Sequence, residues 1–147
     1  MNRTVQGLVW CGLFLIAAEA FGQEITVVVR DAKNGHAVRD AEVWVQFFEP
    51  PANRKIQQIK SKTGADGVVH ISLTAPQPPQ VTVSASTHSF CLAYVTAGTV
   101  DLLQRGVADR CDPKPGDMQP TPEPGKVIFL VRKIPLWVRL IAPLETE

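Results

Sequence analysis

Three histidines, His36, His70 and His88, have the widest chemical range in this 147-residue sequence, because imidazole can bind a metal or move a proton near neutral pH. A metal needs several converging ligands, which in sequence shows as H-x-H or H-x-x-x-H spacing, and none of the three has such a neighbour. His36 follows a turn glycine, His70 sits between Val69 and Ile71 on the outer side of an expected strand, and His88 lies in a polar stretch. Solvated or structurally paired roles are the simpler reading. Asp66 could offer oxygen to calcium, but Gly64 and Ala65 add no side-chain ligand, and Asp31, Asp40, Asp109, Asp112 and Asp117 are spread over different loops. A turn-forming aspartate is expected there. Ser84, Ser86 and Ser89 surround His88 without the flanking glycines of a nucleophile elbow. Catalysis would require His70 and His88 to converge by folding as an acid–base pair, as in a small hydrolase or ligand-processing domain. With no convergent set visible, the sequence is read as non-enzymatic, with no cofactor and no metal.

Aromatic residues offer a different chemistry. Trp44 and Phe48 alternate with Val43, Val45 and Phe47 and so fall opposite the core face of their strand, where exposed rings would form a platform for a sugar ring or a partner protein. The competing reading is that a loop or the C-terminal segment covers them. In that segment Pro135 can open a short helix, and Trp137, Leu140, Ile141 and Leu144 share a stripe before Pro143 breaks it. The stripe could dock on its own sandwich, the preferred reading, on a second copy, or on a membrane. Glu145 and Glu147 oppose the last of these. Trp44, Phe48 and Trp137 are the expected binding contacts.

The compartment follows from the N-terminus. Arg3 precedes an apolar run over residues 8–18, too short for a settled bilayer span, and Ala18-Glu19-Ala20 or Ala20-Phe21-Gly22 offers small residues for cleavage. Residues 1–22 are read as a secretory signal, leaving a secreted or periplasmic chain without a stable membrane span. Cys11 lies inside that run behind Trp10, unlike an acylated lipoprotein cysteine, and departs with it. Cys91 and Cys111 remain, and in an oxidising compartment a bridge is the natural pairing. The alternative is one buried and one exposed thiol. If bridged, the loop of about 20 residues contributes roughly 3 kcal/mol on the chain-entropy model. A net charge of +1 provides no field for nucleic acid or an anionic membrane. With no catalytic set and a sandwich pattern, an envelope protein or glycan is the expected kind of partner.

The elements that must position these residues alternate with a period of two. Ile25, Val27 and Val29 share a face, as do Ala41, Val43, Val45 and Phe47, then Val69, Ile71 and Leu73, then Val81, Val83 and Ala85. Turns fall at Asn34-Gly35 and over residues 63–67, and Pro50-Pro51 stops the second strand. Residues 55–62 form a polar strand suited to an edge, residues 90–95 a strand carrying Cys91, and Val127, Phe129 and Val131 the last strand. After Gly98, Thr99 can cap a short helix bearing Val100, Leu103 and Val107, with Gly106 ending it. Residues 112–125, rich in proline and poor in apolar side chains, read as a mobile loop. The sum is an all-β, seven-stranded Ig-like sandwich domain over residues 23–133, with one short helix and a C-terminal amphipathic tail, residues 134–147.

The order I-x-V-x-V-x-D from Ile25, N-G at Asn34, A-x-V-x-V from Ala41, T-G-A-D-G-x-V from Thr63 and V-x-V-x-A from Val81 resembles the carboxypeptidase regulatory-like domains, which have a transthyretin-like (prealbumin-like) sandwich. Residues 100–107, Cys111 and residues 124–132 resemble a secreted bacterial subset with a cysteine after a short helix. The resemblance implies that fold and a non-catalytic accessory module. Related sandwiches include a purine-pathway hydrolase, whose short polar C-terminal motif is lacking at residues 144–147, and intradiol dioxygenases, whose paired tyrosine ligands cannot be met by Tyr94 alone.

Overall fold

Alternating burial produces the strands. In Gln23–Asp31 the side chains of Ile25, Val27 and Val29 are buried while Thr26, Val28 and Arg30 lie on the other face, and Val69, Ile71 and Leu73 alternate in the same way with exposed His70 and Ser72. The computed structural model describes residues 23–48, 56–73 and 76–141, with the side chains of Phe48, Leu140 and Ile141 left out of that description. The expected signal segment, the Pro50-Pro51 break and Leu144 lie outside the described residues.

Two sheets of four strands result. The first, sheet A, has the order β4-β1-β8-β7, built from β1 (Gln23–Asp31), β4 (Val68–Leu73), β7 (Val107–Arg110) and β8 (Lys126–Val131). The second, sheet B, has the order β3-β2-β5-β6, built from β2 (Glu42–Phe48), β3 (Ile56–Lys62), β5 (Gln80–Thr87) and β6 (Phe90–Gly98). Their inner faces bury one cluster, with Ile25, Val27, Val43, Val45, Val83 and Phe129 among its members. Sheet B is antiparallel throughout, whereas β8 runs parallel to both β1 and β7. The polar strand expected at an edge is β3, on the rim of sheet B.

The strand count is eight rather than seven among the described residues. The added strand is β7, whose four residues, Val-Ala-Asp-Arg, are all half-buried and too few to display alternation. Its ladder with β8, from Val107 opposite Val127 to Arg110 opposite Leu130, holds it in place. Before it, α1 spans Thr99–Arg105. Thr99 does not cap that helix: Gly98 occupies the cap position without a side-chain bond, and the buried Thr99 hydroxyl donates to the Pro78 carbonyl at 2.5 Å. Leu102, not Val100, is the fully buried apolar residue, with Leu103 partly buried against the core, because Thr99 and Leu102 lie on the inward side of this short helix. Gly106 does end it, with positive φ and its N–H donated to Leu102.

Thr63 joins the two layers near the β1–β2 connection. Its buried hydroxyl donates to the Val38 carbonyl at 2.7 Å and accepts from the Ala41 N–H at 2.9 Å. On the opposite flank Cys91 of β6 and Cys111, just beyond β7, stand at disulfide distance with Cα atoms 6.0 Å apart, linking one sheet to the other.

The proline-rich residues 112–125 cross the outside of sheet A as a strap with ties at both ends. Met118 donates its N–H to the Ala32 carbonyl at 3.0 Å, and the Asp117 carboxylate accepts from the Arg132 guanidinium and from the Lys114 N–H. At the other end Gly125 donates to Leu102 and accepts from Thr26, both at 3.0 Å. These bonds are made by backbone and charged groups, so the scarcity of apolar residues in the segment does not reveal them.

Candidate functional site

Trp44 lies at the middle of β2 on the outward side of sheet B, half-buried, between Lys60 of β3 and Ser84 of β5. The Lys60 ammonium stands 4.5 Å from the ring centroid, a cation–π contact that steadies one face of the indole. Lys60 also approaches Glu42 at 3.3 Å, so the lysine is shared between a ring and a carboxylate. Ser84 is in turn opposite Tyr94 of β6, which is 65 % exposed. The cross-strand row is therefore Lys60, Trp44, Ser84, Tyr94, with the backbone positions of the two aromatic residues two strand spacings, about 10 Å, apart. Ser84 leaves low ground between them. The next row carries Gln58, Gln46, Thr82 and Thr96, the threonine hydroxyls 2.9 Å apart. On the outward side of sheet B an aromatic pair thus flanks a strip of hydroxyl and amide groups, the usual composition of a sugar-stacking or protein-contact surface.

Of the other expected contacts, Phe48 ends β2 opposite Ile56, with its side chain outside the described residues. Trp137 belongs to α2 (Leu136–Ile141) and is 65 % exposed. That helix begins beside the β5–β6 turn, where Ile134 donates to the Ser89 carbonyl at 2.8 Å and Phe90 bridges to Lys133. Ile134 and Val138 face a shallow cleft with His88 and Arg139, whereas Leu136 and Trp137 are turned to solvent. The structure does not bring Trp137 into the Trp44 row. Tyr94 was missed as a surface residue. The alternation of Cys91, Ala93 and Val95 against Leu92, Tyr94 and Thr96 is the signal that would have placed it outward.

His70 and His88 are not brought together. His70 is on the outward face of sheet A, its Nδ1 3.2 Å from the Thr26 hydroxyl and 3.1 Å from Glu24. His88 sits in the β5–β6 turn of sheet B and lines clefts with Asp40, Glu42 and Lys62 on one side and with Ile134 and Arg139 on the other. Asp66 makes the turn expected of it, accepting from the Val68 N–H at 3.1 Å. Among the described residues no three His, Cys, Asp or Glu side chains gather as a metal site, and no helix is long and apolar enough to cross a membrane.

Asp117 and Arg132 form the least exposed ion pair described, with only 3 % of the aspartate side chain accessible. The guanidinium hydrogen bond, reinforced by the Lys114 N–H and by the charges of Arg132 and Arg110, holds the Asp117 carboxyl below its ordinary value of 3.8 against the opposing effect of burial. Arg132 Nε is buried without a partner, so the pair is satisfied on one side only. Its place at the start of the strap makes it a structural clasp.

Behind that clasp the strap and the outer face of sheet A border a half-open cleft of about 560 Å³. Three cross-strand rows form its floor: His70, Thr26 and Lys126; Val68, Val28 and Ile128; and Arg30 beside Leu130. Met118, Pro120, Thr121 and Glu123 of the strap form the facing side. No family model and no curated protein matches this chain.

Proposed function

We propose that this protein is an exported, non-catalytic binding module of the cell envelope, with the carboxypeptidase regulatory-like version of the β-sandwich, that recognises a glycan or protein through the outward face of sheet B. The observation carrying this reading is the Trp44–Ser84–Tyr94 row: two aromatic residues on β2 and β6, two strand spacings or about 10 Å apart along the backbone with β5 between them, beside hydroxyl and amide groups. Lys60 presets the indole orientation, which lowers the ordering cost of a contact. The cysteine pair at disulfide distance supports an oxidising compartment, in keeping with the secretory character of residues 1–22. A hydrolase using His70 and His88 gains no support from their placement on different sheets.

A glycan array and an envelope pull-down, each run with wild type, Trp44→Ala and Tyr94→Ala, test the proposal. Loss of an aromatic anchor is expected to weaken binding at least tenfold, on the order of 2 kcal/mol. Binding that survives both substitutions for every ligand found would remove this face from consideration.

A further inference from the structure

The cleft beneath the strap lies on sheet A, away from the sheet B face. Its central row, Val68, Val28 and Ile128, is an apolar floor on the side of the sheet that faces away from the core. Leu130 shares that side and is only 4 % exposed, so the strap already shields part of the surface and leaves the remainder as a recess. The volume of about 560 Å³ falls in the range of small-molecule sites, roughly 300–1,000 Å³.

The charges around the floor select the ligand. Lys126 is neutralised by Glu123, and His70 is engaged by Glu24 and Thr26. Arg30 has no ion-pair partner among the described residues and lines the same recess. A guanidinium presents a planar fork of donors that matches a carboxylate bidentately, and it stays charged at every physiological pH. The single unpaired cation favours a monoanion. A phosphate dianion would bring a second charge that no remaining cation of the recess offsets, because Lys126 is already paired with Glu123. We propose that the cleft between the strap and strands β4, β1 and β8 binds a small amphipathic carboxylate, Arg30 holding the carboxylate and Val28, Val68 and Ile128 covering its apolar body.

The full chain, isotopically labelled, is titrated with octanoate and, in parallel, with octanol, following backbone amide shifts. Octanoate should produce saturable shifts centred on Val28, Arg30, Val68 and Ile128, with octanol weaker by about tenfold or more, as expected for one charge-assisted pair. Arg30→Gln should reduce octanoate affinity to that of octanol. The octanoate–octanol comparison on wild type needs no variant, so it decides even if Arg30→Gln folds poorly. Equal affinities for the two probes, shifts centred on Trp44 or Trp137 instead, or no saturable shift up to the solubility of octanoate would each overturn the assignment.

Discussion

At the scale of single residues, two polar side chains with almost no solvent contact hold loops that apolar packing cannot. Thr63 satisfies a carbonyl and an amide at once, and Asp117 binds the strap to Arg132 and to its own backbone. The Asp117 carboxyl is lowered in the fold, chiefly by the Arg132 hydrogen bond, so the unfolded chain takes up its proton at a higher pH than the folded chain does. The stabilisation is therefore fully present above the unfolded value of 3.8 and is lost as pH falls through the lower folded value. Asp117→Asn should melt below wild type at neutral pH, and the gap should narrow as the pH is taken from about 5 to about 2. Thermal melts across that range check it. A gap that stays constant would mean that the clasp acts through shape and not through charge.

Among the elements, the strands whose side chains alternate strictly were legible in the sequence, because burial on one face selects for that pattern: β1, β2, β4 and β5 fall where Val and Ile repeat at every second position. What escaped has other causes. Strand β7 is held by a ladder with β8, and backbone pairing leaves no mark in side-chain types. Thr99 has the chemistry of a cap, but the nearby Pro78 carbonyl captures its hydroxyl, a competition decided by tertiary placement. Trp44 could be assigned to the outward face by parity alone, whereas its row with Ser84 and Tyr94 depends on register across three strands. Gly106, read as a helix stop, also admits the strap. A Cβ there would lie 1.8 Å from the Glu123 carbonyl oxygen, at a φ of +73°. Gly106→Ala should destabilise by at least about 2 kcal/mol, combining left-handed backbone strain with displacement of the strap. Denaturant unfolding measures the loss, and amide shifts over residues 121–125 report the displacement. A variant as stable as wild type with unmoved strap signals would contradict the close approach.

For the molecule as a whole, the question is what keeps two four-stranded sheets together in a domain of this size. The shared core does most of it, since both inner faces lose their apolar surface only when they meet. The Cys91–Cys111 tie adds a constraint of a different kind, because it joins β6 of sheet B to the end of β7 of sheet A across a sequence separation of 20. Such a link acts mainly by restricting the unfolded chain, and a loop of that length is worth about 3 kcal/mol on the entropy model. The double variant Cys91→Ser, Cys111→Ser should therefore unfold at lower urea concentration. Its dependence on denaturant should also be steeper, because the freed chain exposes more surface on unfolding. Wild type treated with dithiothreitol should move to the same midpoint and slope. A shift in midpoint with an unchanged slope would place the effect in native packing around β6 and β7. No shift in either would show that the two cysteines are not linked in the folded protein, and it would remove the support they lend to an oxidising compartment.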